Sequence, residues 1–115
     1  MGNRRKDRVS ELLKEEIADI LIREVKDPRI VLVTIMDVDV TKDLRQAKVF
    51  FSVNKSSKEE ALRGLNSASK FIKRTLGKRV RLKYIPTIIF IYDNSLEYGS
   101  KIDKIIEDLK GEDSL

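Results

Sequence analysis

Lys70, Lys73, Arg74, Lys78, Arg79, Arg81 and Lys83 fall in one stretch that contains no Asp or Glu. Side chains of this type hold phosphates by charge and hydrogen bonding and break no bonds, so the chemistry they offer is binding of a polyanion. A second cluster, Arg4, Arg5, Lys6 and Arg8, is interrupted only by Asp7. Each cluster also has a plainer reading. Cations near the end of a helix offset the negative end of its dipole, and a basic N-terminus is often a disordered tail. Chemistry of other kinds is poorly supplied. The chain has no His and no Cys, which removes disulfides, thiol nucleophiles, thiolate metal sites and the usual general acid or base. An enzyme would have to work with carboxylates, Lys or Tyr, and no pair of acids stands out for that task. Asp37 and Asp39 share one face of a strand pattern, but they lack a third carboxylate at ligand spacing and have Lys42 close by. They read as a solvated face. No catalytic residue, metal or cofactor is expected.

The elements that must position these cations follow from hydrophobic periodicity. Val9, Leu12, Leu13, Ile17, Ile20, Leu21 and Val25 trace one face of a first helix that ends at Lys26-Asp27-Pro28. If that helix starts near Asn3, its arginines crowd the positive end of the dipole, a placement that suits a phosphate contact better than helix stability. Ile30–Val40 reads as a strand, with Met36, Val38 and Val40 inward, Asp37 and Asp39 outward, and a covered or bulged first half at Val31-Leu32-Val33. A turn at Thr41–Leu44 leads to a second strand, Arg45–Val53, which makes an antiparallel hairpin with the first.

The cationic stretch belongs to an amphipathic helix over Glu59–Lys83. Ser57 and Glu60 form a capping-box pattern at its start, Ala61, Leu65, Ala68, Ile72 and Leu76 make its apolar stripe, and Leu62 and Phe71 widen that stripe. Asn66-Ser67-Ala68-Ser69 weakens the middle, which predicts a bend near Ala68, and Gly77 is the predicted C-terminal stop. Thr87–Tyr92 is the most apolar strand and is expected to be well covered. Asn94 and Glu97 resemble a cap for a last helix striped by Ile102, Ile105, Ile106 and Leu109 and ended by Gly111. At 115 residues and a net charge of +5, one α+β domain drawn to nucleic acid is expected, with residues 1–8 and 111–115 as its loosest parts. No apolar stretch reaches membrane-span length and no signal-peptide pattern opens the chain, so a cytoplasmic protein is expected.

Several motifs narrow the reading. Arg23-Glu24-Val25-Lys26-Asp27-Pro28-Arg29, then Leu76-Gly77-Lys78, then Ile85-Pro86 followed by Phe90-Ile91-Tyr92-Asp93-Asn94-Ser95, in that order, resemble the bacterial ribosome-binding factor A family over nearly the whole chain. The resemblance implies a KH-like domain of type II topology: a three-stranded sheet, helices packed on one face, and a helix-kink-helix in place of the Gly-x-x-Gly loop. It puts the family's Ala-x-Gly kink at Ala68, Ser69 and Lys70, with Lys where the family usually has Gly. It further implies a monomeric, non-enzymatic assembly factor that binds the free small ribosomal subunit and 16S rRNA. Its implied role is to assist 16S 5′-end processing in late maturation and adaptation to cold. Ribosomal proteins and an assembly GTPase are further implied partners.

Rival readings are a generic KH-like RNA-binding domain and a protein-interaction module. A single-strand binder needs exposed aromatic platforms, and most of the Phe and Tyr residues sit in apolar patterns. A docking module could use the acidic last helix. The RNA surface is expected to consist of the helix cations with the N-terminal arginines as a second contact.

Overall fold

The computed structural model describes residues 3–94, with side chains from Lys6 onward. The expected last helix, and with it Ile102 to Gly111, lies outside the described residues. The element order is α1 (Asn3–Arg23), β1 (Thr34–Val40), β2 (Gln46–Ser52), α2 (Lys58–Arg79) and β3 (Thr87–Tyr92), with short 3₁₀ turns at Pro28–Ile30 and Lys55–Ser57.

Strand order in the sheet is β1-β2-β3. β1 and β2 are antiparallel, opposing Val38 to Val49 and Val40 to Ala47. β2 and β3 are parallel, opposing Val49 to Phe90. A parallel pair needs a crossover connection, and α2 supplies it. Two further bonds lengthen this ladder: Thr87 N–H donates to Arg45 O (2.8 Å) and Asp93 N–H to Phe51 O (2.7 Å).

Because side chains alternate across a strand, Val38, Val40, Ala47, Val49, Phe51 and Phe90 share the face that the helices cover. Leu13, Ile17 and Ile20 of α1 and Ala61, Leu65, Ile72 and Leu76 of α2 complete the core. Phe51 is fully buried and meets both Phe90 (centroids 6.5 Å apart) and Tyr92 (5.8 Å) edge to face, a geometry that contributes beyond area burial. The opposite face carries Asp37, Asp39 and Lys48, all exposed. The α+β layering, with helices on one face of a three-stranded sheet, is the expected one.

Local details add to the sequence reading or depart from it along the chain. α1 ends at Arg23, before the predicted stop, and begins at Asn3, so residues 3–8 are helical. Val31 and Leu32 are exposed turn residues (73% and 68%), not strand. Asp27 accepts from Arg29 N–H (2.9 Å) and Pro28 starts a 3₁₀ turn, which bends the chain before β1 can form. The bulge lies instead at Met36, where the register shifts between Ile35 and Asp37.

The Ser57 side chain makes no cap bond. The chain enters α2 through the preceding 3₁₀ turn, whose geometry (φ −104°, ψ 2° at Ser57) is outside the extended region that an N-cap needs. Helical hydrogen bonding then runs unbroken through Ala68, Ser69 and Lys70. Ser69 Oγ donates to Asn66 O (3.0 Å), a back-bond of the kind that bends helices locally. Gly77 lies inside the helix, which stops two residues later where Val80 turns extended and its N–H bonds Leu76 O (2.9 Å). β3 is an edge strand with only Phe90 buried, and Ile89 is 37% exposed.

Candidate nucleic-acid interface

An α-helix advances about 100° per residue, so Lys70, Lys73, Arg74 and Lys78 fall within an arc of roughly 140°. Ala61, Leu65, Ala68, Ile72 and Leu76 occupy the opposite side. The burial agrees: all four cations are exposed, while Ala61, Leu65, Ile72 and Leu76 are fully buried. None of the four makes an ion pair among the described residues. The helix therefore presents a row of unneutralised donors outward because its other face is committed to the core.

Phe71 shares this outward side. It was expected to widen the apolar stripe, yet it is 40% exposed. Its place in the turn explains this, since it lies three residues before Arg74 and seven before Lys78, alongside the cations.

Arg79 departs from the expected cationic surface. Its guanidinium Nη1 reaches Glu16 (3.0 Å) and Asp19 (2.7 Å), and its Nη2 reaches Glu24 (2.8 Å). Seven residues past Ile72, it falls on the packed side of α2, facing α1. The three carboxylates raise its pKa further above the ordinary arginine value, and Arg79 in turn, with Arg23, holds the Asp19 carboxyl below its usual range. This cluster joins α2 to α1. The sequence signal was there, in the helical position of Arg79 relative to Ile72 and in the acids of α1.

Lys6 is likewise engaged, with its Nζ 3.2 Å from Asp39 of β1. Asp39 thus serves as an ion-pair partner, and Asp37 accepts from Val38 N–H (2.9 Å). Arg8 is exposed, whereas the side chains of Arg4 and Arg5 lie outside the described residues. Arg81 and Lys83, beyond the end of α2, are exposed. Lys83 Nζ sits 5.6 Å from the centroid of the Tyr84 ring, and Tyr84 is 74% exposed.

A cleft links this segment to the start of α1. Val9, the turn between β1 and β2, and residues 82–87 line it together. It brings Lys42 and Arg45, which the sequence reading did not count among the binding cations, beside Lys83 and Tyr84. Neither had a periodic pattern to mark it, because both sit at a turn.

The fold and this surface define a small KH-like α+β domain that presents a cationic helix face, a class suited to binding polyanions. Residues 5–106 match the profile of the family described as Ribosome-binding factor A. Ribosome-binding factor A of Halothermothrix orenii is 47% identical over 115 residues, covering 98% of this chain and 94% of the relative. That of Staphylococcus epidermidis is also 47% identical, over 98% and 99% of the two chains. The chain belongs to the ribosome-binding factor A family.

Solved structures agree. The crystal structure of ribosome-binding factor A from Thermus thermophilus is similar with a TM-score of 0.72 and 28% identity, over 78% of this chain and 97% of that one. A homology model of the Thermus thermophilus factor, fitted into the cryo-EM map of a 30S complex, gives a TM-score of 0.63 at 29% identity, over 74% of this chain and 91% of that one.

Proposed function

We propose that this protein is a non-catalytic assembly factor that binds the small ribosomal subunit through 16S rRNA and assists late maturation, including processing of the 16S 5′ end. One observation carries the RNA contact: the exposed row Lys70, Lys73, Arg74 and Lys78, without ion-pair partners among the described residues, on a helix whose opposite face is buried. Membership of the family and the fitted 30S complex of the Thermus relative support the choice of the small subunit. Arg8, Arg81 and Lys83 extend the surface. The domain acts as a single unit in the cytoplasm, and no helix among the described residues is long and apolar enough to cross a membrane.

Binding through these cations is electrostatic in origin, because each phosphate contact releases condensed counterions. The test is cosedimentation with purified small and large subunits across a salt series, for the native chain and for Lys73→Ala combined with Arg74→Ala. Binding to small subunits alone is expected. The double variant should flatten the dependence of log K on log salt by about 1.4 to 1.8 units, the loss of two contacts, with little change in Tm because exposed charges contribute little to folding. Equal binding to both subunits, or an unchanged slope with the fold intact, refutes the assignment.

A further inference from the structure

The cleft at the start of α1 has features that a surface for duplex phosphates does not require. Its volume of about 770 Å³ lies within the range of small-ligand sites, about 300–1,000 Å³. Leu44, Leu82 and Ile85 pack against the core from this side, and Pro86 is fully buried, so the lining is apolar and fixed. The rim is cationic, with Lys42, Arg45 and Lys83 all exposed. Its one acid, Asp43, accepts through Oδ1 from Thr41 Oγ1 (2.6 Å) and from Arg45 N–H (3.0 Å), while its Oδ2 lies 3.9 Å from Arg45 Nε, a long, solvent-exposed pair that a phosphate can displace.

The turn that builds one wall is held in a demanding shape. Leu44 has φ 60°, a left-handed conformation that carries strain for a residue with a Cβ. Leu44 N–H donates to Thr41 O (2.8 Å), and Thr41 N–H to Gln46 O (2.9 Å), which hold it there. The opposite wall offers Tyr84, an exposed ring with Lys83 already over it. An exposed aromatic beside cations, above an apolar floor, is the combination that stacks a base and holds its phosphates.

We propose that this cleft holds one unstacked nucleotide of a single-stranded RNA segment, with the base laid on Tyr84 and the flanking phosphates held by Lys42, Arg45 and Lys83. The proposal rests on the RNA-binding reading above and adds a second site to it, separate from the cationic face of α2. Duplex RNA has no free base to offer and engages only the helix face.

Backbone amide NMR at low salt tests this, using a single-stranded RNA hexanucleotide, an RNA hairpin, a free nucleoside monophosphate and an acidic peptide as probes. The hexanucleotide should shift the amides of residues 42–45 and 82–87, and the hairpin should leave them in place. Tyr84→Ala should weaken hexanucleotide binding by about 5- to 150-fold, the loss of one base–aromatic stack, while Tyr84→Phe retains it. Thermal melts of both variants verify that the fold is unchanged. The cleft assignment is overturned if Tyr84→Ala binds the hexanucleotide as well as the native chain does. It is also overturned if the monophosphate binds as tightly as the hexanucleotide, or if the hairpin or the acidic peptide shifts the same amides equally. Cosedimentation of Tyr84→Ala and of the native chain with small subunits, run beside these titrations, separates the two readings. Native binding to the subunit with no cleft response sinks the cleft alone, whereas no native binding sinks the assembly-factor reading.

Discussion

Two glycines of α2 should respond to the same substitution with opposite signs. Gly64 is buried where α2 crosses the 3₁₀ turn at Pro28–Ile30, and a Cβ built there would stand 2.8 Å from Ile30 Cγ2 and 3.1 Å from Arg29 Cβ. Ile30 is only 4% exposed, so its branch methyl cannot swing clear. Gly77 is exposed, and its Cβ would meet only Ile85 Cγ1 at 3.7 Å, an ordinary contact. Replacing a helical glycine by alanine gains up to about 1 kcal/mol of helix propensity. Overpacking a tight site costs about 1–3 kcal/mol. Gly64→Ala should therefore lose about 0–2 kcal/mol net, and Gly77→Ala should gain up to about 1 kcal/mol. At roughly 4–6 °C per kcal/mol for a domain of this size, the melting temperature of Gly64→Ala should lie well below that of Gly77→Ala when both are measured by circular dichroism. Equal upward shifts of the two variants would refute the claim that Ile30 and Arg29 of the 3₁₀ turn pack tightly against α2 at Gly64.

Other expectations concern charge and backbone. Asp19, Asp27 and Asp43 are held below the ordinary carboxyl value of 3.8, chiefly by Arg79, Arg29 and Thr41 respectively. The stability they contribute is present above that value and lost as pH falls through their lower folded pKa values, so melting temperatures should decline below about pH 4. Arg79→Met should lower the melting temperature at neutral pH, make that acid slope shallower and leave the salt slope of RNA binding unchanged; a changed salt slope would return Arg79 to the binding surface. Pro28→Ala frees the unfolded chain and should cost about 0.4–1 kcal/mol while leaving RNA binding intact at low temperature, and a folded variant that no longer binds would make the 3₁₀ turn a contact. Lys70→Gly should lower both the melting temperature, by helix propensity, and the affinity for small subunits; equal or improved affinity would assign Lys70 to the shape of α2 alone.

Both helices were legible in the sequence because burial repeats with the helical period: Val9, Leu13, Ile17 and Ile20 are buried as their spacing predicts, as are Ala61, Leu65, Ile72 and Leu76. The hairpin was legible for the same reason at period two. What the period cannot show is which strand ends at an edge. Thr87–Tyr92 is apolar on both sides, yet among the described residues β3 has one neighbour and buries only Phe90. Composition gave no warning of this. Gly77 reads locally as a stop, but α2 continues to Arg79, which two acids of α1 and Glu24 just past its end hold in place. Those partners lie 55 to 63 residues away in the chain, beyond the reach of a capping rule. Phe71 was assigned to the apolar stripe, and Tyr84 was passed over among aromatic residues that mostly sit in apolar patterns. At Phe71 the helical position argued the other way.

The sign of a protein's net charge does not say where a polyanion will bind, and here the placement of acids settles more than their number. Glu16 and Asp19 of α1, with Glu24 just past its end, meet the one cation of the α2 run that lies on the packed side of that helix. They are thereby drawn toward the seam between the helices, and no acid sits among Lys70, Lys73, Arg74 and Lys78 to offset them. Had those carboxylates paired with the outward cations instead, the same composition would give a nearly neutral surface and leave Arg79 with its charge unpaired against the seam. Packing, and in the proposed function binding, are thus served by one helix with its cations divided between two faces. The division predicts which mutations affect folding and which affect affinity: substitutions along the Arg79 side should act on the melting temperature, and those along the Lys70–Lys78 side on the salt dependence.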